Sequence, residues 1–393
     1  MAASLDQTRA DHIGSLTRPQ ALLNARASFG RGEISEQEIR KAEDDAVKAA
    51  ITKQDQIGFP VIHDGEFRRS GFQDSFGAAV SGYEVPEAHS YYRQQSGTGP
   101  RSNASERVES GLEVPGAPVS TRGMAIDRLK LVTNPIVDEY RAAAAMTQTP
   151  VKVTLISPDR VGQRFAHERS QTAYPGGLQE FIAHVGSIEH EMVQQLVDEG
   201  CPYLQIDAPG YTAYVDPPSL ERMRKRGEDP DKNLDWGIKA DNAVIAGFPG
   251  VTFGIHFCRG NSRTIDPLTG NMLPQWHRVG HYDAIAERLY NQLNHQRYLL
   301  EYDSDRSGSF ESLRFVPKGK TVVLGLVTTK STEVETVEFL KRRIDEAARY
   351  ISIDQLALSP QCGFASGASA VFPEDVQWRK LEAICETVAQ VWG

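Results

Sequence analysis

The stretch Val251-Thr252-Phe253-Gly254-Ile255-His256-Phe257-Cys258 decides how the rest of the chain reads. It opens as an unbroken apolar run, which suits a strand covered on both faces. It closes on an imidazole and a thiol two positions apart. Residues two apart on a strand point to one side of the sheet, so His256 and Cys258 can reach one ion together. Further along, Glu301 ends the run Tyr298-Leu299-Leu300-Glu301, and Cys362 lies 104 residues beyond Cys258 in Ser359-Pro360-Gln361-Cys362-Gly363. Imidazole, thiolate and carboxylate are the usual zinc ligand types. The residues alone leave a second reading open, a buried cysteine beside a hydrogen-bonded histidine, because free cysteines are often core residues.

Similar apolar runs recur near His12–Ser15, Val61–Asp64, Val151–Ile156, Tyr203–Asp207, Tyr298–Glu301, Thr321–Val327 and Leu356–Ser359. With Val251–Cys258 they make eight strand candidates. Helical patterns lie between most of them. The first long one starts at Ser35, with Glu38 completing a capping box, and stops at Gly58. Others cover Leu178–Glu199, Asp235–Ala246, Tyr282–Gln296, Glu333–Tyr350 and Glu374–Val391. Alternating strands and helices predict an α/β fold of the (β/α)8 TIM-barrel type, with long loop insertions at the barrel mouth. The chain then forms one domain over residues 1–393, with an insertion at about 77–150. Within that insertion, His89–Ser120 is rich in Ser, Gly, Pro and Arg and predicts an irregular loop, and a hairpin is expected around Val114–Leu131. A second long loop, Arg259–His281, follows directly on Cys258. Both segments are expected either to cover the mouth or to serve as contacts between copies.

Bulk properties narrow the function classes. The net charge of −9 over 393 residues offers no basic field for nucleic acid. Cysteines at 201, 258, 362 and 385 are too sparse for a disulfide scaffold, which fits a reducing compartment with free thiolates. No signal peptide or membrane-spanning run is visible. A cytoplasmic protein without a membrane or nucleic-acid partner is expected, and a homo-oligomer is compatible with the chain.

In such barrels the reacting groups sit at the C-terminal ends of the strands. The polar residues fall there: Asp11-His12-Ile13-Gly14-Ser15, His63-Asp64-Gly65-Glu66, Gln205-Ile206-Asp207, His256 with Cys258, Glu301, and Cys362. This shared rim strengthens the zinc reading over the scattered-core one. The chain resembles the catalytic C-terminal half of cobalamin-independent methionine synthase, and within that family the short single-barrel bacterial proteins. The motifs are Ala10-Asp11-His12-Ile13-Gly14-Ser15, Asp64-Gly65-Glu66-Phe67-Arg68-Arg69, Tyr203-Leu204-Gln205-Ile206-Asp207, His256-Phe257-Cys258-Arg259-Gly260-Asn261, Leu300-Glu301-Tyr302-Asp303, Leu324-Gly325-Leu326-Val327-Thr328-Thr329-Lys330 and Ser359-Pro360-Gln361-Cys362-Gly363-Phe364. They keep their order over residues 9–392.

The resemblance implies roles. His256, Cys258, Glu301 and Cys362 match the family's ligands to Zn2+. Ile13 and Ser15 match the segment that holds an amino acid's carboxylate. Glu66 and Asp207 match the acids that bind its ammonium group and are the catalytic-site carboxylates. Other roles stay open: Ser15 could cap a helix, Glu66 could pair with Arg68 or Arg69, and Asp207 could cap a helix. Two departures stand out. Asp207 is followed by Ala208-Pro209 where the family has Glu-Pro, and Lys330 stands where the family has a histidine for proton transfer. Lys330 could deliver a proton, bind an anionic donor or lie on the rim.

The implied activity is a zinc-dependent thiol methyltransferase. It takes the methyl group of a methyl-tetrahydrofolate to homocysteine and gives methionine. Two thiolates, one carboxylate and a neutral imidazole leave a zinc site with net negative charge, which keeps a substrate sulfur electron-rich. Alternatives are zinc-dependent alkyl transfer to another small thiol or from another methyl or alkyl donor, a zinc-free decarboxylase of a porphyrin-like substrate, and a non-catalytic binding protein. The last two give no use to Cys258 and Cys362 or to a full ring of polar strand ends.

Overall fold

A computed structural model describes residues 5–69, 71–72, 74–83, 125–163, 165–260, 278–365 and 372–393. A small antiparallel pair, β1 (Val80–Tyr83) and β2 (Ala125–Leu131), lies beside a six-stranded parallel sheet. Of the hairpin expected around Val114–Leu131, Ala125–Leu131 is a strand, and it pairs with Val80–Tyr83. The first part of that hairpin, the His89–Ser120 loop and most of Arg259–His281 lie outside the described residues.

The sheet runs in sequence order through β3 (Lys152–Ile156), β4 (Tyr203–Asp207), β5 (Thr252–Phe257), β6 (Arg297–Glu301), β7 (Thr321–Val327) and β8 (Leu356–Pro360). All neighbours are parallel. Every residue of these strands is buried, which explains their unalternating apolar sequences. The two N-terminal strand candidates need correction. His12–Ser15 and Val61–Asp64 form no strand; each region gives a single parallel bridge at one edge of the sheet, Ala10 to Leu358 and Ile62 to Val151. Local hydrogen bonds replace the ladder there. His12 N donates to Asp11 Oδ1, Gly65 N to His63 Nδ1 and Glu66 N to Asp64 Oδ1, all within 3.0 Å. Gly14 at φ 131° and Glu66 at φ 57° then turn the backbone out of extended geometry.

The register places β-strand residues in layers on one face. Lys152, Tyr203 and Arg297 lie at the strand starts. Thr154, Gln205, Gly254, Leu299, Val323 and Ala357 follow in the middle. Asp207, His256 and Glu301 lie at the C-terminal ends. Leu299, Val323 and Ala357 pack with Ile13 as a small separate cluster, while the opposite face joins the main core.

Helices cover that opposite face. The longest early one, α1 (Glu36–Ile57), has the expected capping box at Ser35 and a left-handed cap at Gly58. The helix Pro230–Val244 starts five residues before Asp235, because Asp229 caps it with Pro230 at the first turn. The helix Val337–Ala347 starts later than Glu333, because Thr336 caps it and Glu335 is drawn to Thr328 N and Lys380. Helices at Gln20–Gly30 and Pro135–Ala144 were not among those expected. Among the described residues no helix is long and apolar enough to cross a membrane.

Candidate active site

The end of β5 and the turn after β8 bring His256, Cys258 and Cys362 together. Their ligand atoms lie within 4.8 Å of one another, a possible His/Cys/Cys metal site. His256 Nδ1 meets the Leu299 carbonyl at 3.1 Å, which makes Nδ1 the protonated nitrogen in a neutral ring. Nε2 is then a bare lone pair, and it is buried without a hydrogen-bond partner. The two sulfurs are 3.1 Å apart, and Gly260 N donates to Cys258 Sγ at 3.3 Å. The Cys362 thiol holds Cys258 well below the ordinary thiol range, helped by His256 and opposed by burial. The same contact, with burial, pushes Cys362 well up. The pair therefore shares one proton, and a metal ion is a natural replacement for it. The donor set and the orphaned nitrogen fit zinc.

Glu301 lies outside that three-residue group. Its carboxylate accepts from Arg259 N at 3.0 Å, from Lys330 Nζ at 3.1 Å and from Arg306. Lys330 is also paired with Asp303, and burial lowers its ammonium to about 8. Three of the four expected ligands are thus adjacent, and the fourth is held among cations at the same strand ends. Arg306 and Asp303 were not singled out from sequence. Asp303 is two residues past Glu301, a spacing that could have flagged it. Arg306 arrives through a 3-10 turn, Asp305–Ser307, with no periodic signal.

The expected amino-acid groups meet beside the thiols. Asp207 pairs in register with His256 across β4 and β5. Burial raises Asp207 to about 6, with His256 lowering it and Glu66 raising it. Gln205 Nε2 donates to Asp207 Oδ1 at 2.7 Å and to the Ile13 carbonyl at 2.8 Å. Glu66 is buried; its Oε1 accepts from Thr154 Oγ1 at 2.6 Å and pairs with Arg69 at 3.4 Å, while Oε2 has no partner. A non-glycine residue at positive φ with an orphaned carboxylate oxygen carries strain of a kind that clusters at ligand sites. Ser15 is buried, and a Cβ at Gly363 would lie 1.8 Å from its hydroxyl, so only glycine fits there.

The competing roles divide. Ser15 caps no helix, since the next begins at Gln20 behind Pro19. Asp207 caps none either, because the following 3-10 turn has Ala208 at its cap without a side-chain bond. Glu66 does pair with Arg69, but that guanidinium is mainly engaged by Glu139 at 2.7 Å, and Arg68 goes to Asp44.

Comparison with known proteins points to one family. The family model for the cobalamin-independent synthase catalytic domain matches residues 8–98 and 293–374. Those segments hold Ile13, Ser15, Glu66, Glu301, Lys330 and Cys362; Asp207, His256 and Cys258 lie between them. The uncharacterized protein YxjH of Bacillus subtilis is 34% identical over 392 residues, covering 98% of this chain and 94% of the relative. Among solved structures, a protein of Listeria monocytogenes superposes with a TM-score of 0.72 at 24% identity, covering 100% of this chain and 99% of its own. The B12-independent methionine synthase of Shewanella sp. W3-18-1, solved with selenomethionine, gives 0.69 at 18% identity, with 98% of each chain covered. The chain belongs to the cobalamin-independent methionine synthase family, in the form of its catalytic domain.

Proposed function

We propose that the protein is a zinc-dependent S-methyltransferase. It moves the methyl group of a methylated tetrahydrofolate to homocysteine, giving methionine, on one (β/α)8-barrel domain. The observation that carries this reading is the Cys258–Cys362–His256 group, with its bare Nε2, on the same strand ends as Asp207. The layered inner face and the two edge bridges support closure of the sheet into a barrel.

His256, Cys258 and Cys362 would hold zinc, with Glu301 as the fourth ligand. Bound zinc supplies a Lewis acid that favours the deprotonated, nucleophilic form of a substrate thiol. The chain's own residues do the rest. Asp207 and Glu66 take the substrate ammonium, and their burial strengthens that attraction. The Ile13–Ser15 backbone and the Ser15 hydroxyl take its carboxylate. Lys330 is the proton source for the departing donor nitrogen, held between Glu301 and Asp303. Lys330 and Ala208 also favour a second reading, in which the thiol step is kept and the methyl or alkyl donor differs.

Zinc-loaded protein incubated with homocysteine and a panel of methyl donors, with products identified by mass, tests both. Methionine is expected with methyl-tetrahydrofolate. Amine-free thiols such as 3-mercaptopropionate should react at least about a hundredfold more slowly, the scale of losing a buried charge contact. Equal use of such a thiol would remove the amino-acid assignment and the methionine synthase reading together. Methylation of homocysteine from another donor alone would leave the second reading.

A further inference from the structure

Gln205 sits in the middle of β4, on the face that carries Tyr203 below it and Asp207 above it. It is completely buried, in a layer otherwise lined by Thr154, Gly254 and aliphatic side chains. Its surroundings fix which way its amide points. Lys152 Nζ lies 2.8 Å from Gln205 Oε1. An ammonium has only donors, so the amide must turn its oxygen down toward Lys152 and its nitrogen up toward the site.

Every hydrogen in this chain of contacts is spoken for. Lys152 spends its three on Asp11 Oδ1 at 2.6 Å, the His12 carbonyl and Gln205 Oε1. Gln205 spends its two on the Ile13 carbonyl at 2.8 Å and Asp207 Oδ1 at 2.7 Å. Asp207 Oδ2 is left without a hydrogen-bond partner among the described residues. Ile13 belongs to the segment that would hold the substrate carboxylate, and Asp207 would hold the ammonium. One amide therefore joins both halves of the pocket, and a buried ammonium locks that amide in place.

We infer that Gln205, oriented by Lys152, is the positioning residue of the amino-acid pocket: it sets the Ile13 carbonyl and Asp207 Oδ1 in one frame and leaves Oδ2 for a substrate ammonium. The inference rests on the amino-acid reading of the site given above. Gln205 touches no reacting atom. Its removal should raise the substrate requirement without touching the metal or the chemical step. A fully satisfied network is rigid, so the effect of breaking it is concentrated on geometry.

Gln205→Glu is the sharpest variant. It keeps size and the acceptor for Lys152, but sets an oxygen against Asp207 Oδ1 and the Ile13 carbonyl. KM for homocysteine and its Kd by calorimetry on zinc-loaded protein should rise at least about tenfold, a typical loss for a charge-assisted bond. Bound zinc should stay at the wild-type level and kcat within about threefold. If Gln205→Glu does not fold, the isosteric Gln205→Met gives the same comparison. KM and Kd within about twofold of wild type in the folded variant, or a loss carried by kcat or zinc content alone, overturns the proposal. Wild-type protein that binds 3-mercaptopropionate as well as homocysteine instead overturns the underlying amino-acid reading, so the two failures are told apart.

Discussion

The two ends of the parallel sheet differ in how their buried charged groups are met. At the strand starts, Asp11, Lys152, Arg297 and Tyr203 are fully buried, and each is hydrogen-bonded to at least one of the others. Asp11 Oδ1 faces Lys152 at 2.6 Å, and Oδ2 faces Arg297 at 3.0 Å and Tyr203 Oη at 2.9 Å. Burial alone would push Asp11 up; Lys152 and Arg297 outweigh it and hold it below the ordinary carboxylate range. At the strand ends, His256 Nε2 and Glu66 Oε2 are buried without a geometric hydrogen-bond partner. Similar residue types thus serve different ends. Where each buried group has a partner, the network ties the N-terminal segment to β3, β4 and β6. The unpartnered atoms at the strand ends are those to which we assign a metal and a substrate ammonium.

The largest effect should come from the unsatisfied end. Cys258→Ser or Cys362→Ser should lower bound zinc from about one per chain to near zero and activity by about a thousandfold or more. Far-ultraviolet dichroism should be unchanged, since no core contact depends on the ion. Full zinc occupancy in the double variant would refute this ligand set. The satisfied end should answer in stability. Asp11→Ala leaves two buried cations facing each other and should cost about 3–5 kcal/mol in denaturant unfolding. A loss below about 1 kcal/mol would break the contrast, because it would mean that the network is not holding the sheet.

How much of this was legible beforehand differs between the same two ends. The site end could be read because its residues occupy recognisable places: His256 and Cys258 are two apart, and Glu301 and Cys362, though remote in sequence, close apolar runs. The capped helix from Ser35 to Gly58 was equally legible, since both its signals act within one turn. The network at the strand starts was not. Lys152, Gln205 and Arg297 are single polar residues inside apolar runs; Lys152 meets Gln205 53 residues away, and Arg297 meets Asp11 286 residues away. The first two strand candidates make only one bridge each, Ala10 to Leu358 and Ile62 to Val151, while the side chains of Asp11, His63 and Asp64 accept from nearby backbone amides. Nothing in residue periodicity distinguishes a strand from a segment that makes a single bridge.

Lys330 tests a place where the two kinds of environment meet, a cation that is paired yet on the rim. Lys330→Met removes its contacts with Glu301 and Asp303. If it serves as proton source, kcat should fall about a hundredfold, the scale of general-acid assistance, with homocysteine KM and zinc content nearly unchanged. Lost zinc with proportionate loss of rate would make it a structural partner of Glu301 instead.

The last effect concerns a buried cluster that belongs to neither end. Between the helices Gly177–Asp198 and Pro230–Val244, Asp241 is fully buried; its Oδ2 accepts from Ser157 Oγ at 3.0 Å and from Tyr211 Oη. Glu189, also fully buried, has neither carboxylate oxygen partnered. Burial pushes Asp241 up to about 8, with the charge of Asp159 adding to it. A folded-state pKa above the unfolded value means that the folded form binds more protons in between. The stability from this group is therefore whole below the ordinary carboxylate range and is lost as pH rises through about 8. Over that window one proton is worth up to about 1.4 kcal/mol per pH unit. Unfolding free energy should fall from pH 5 to 8, and Asp241→Asn should make that slope shallower while leaving homocysteine KM unchanged. An identical slope in both proteins would show that Asp241 ionises without cost, and that the helix pair, like the rim, has an unseen partner for its charge.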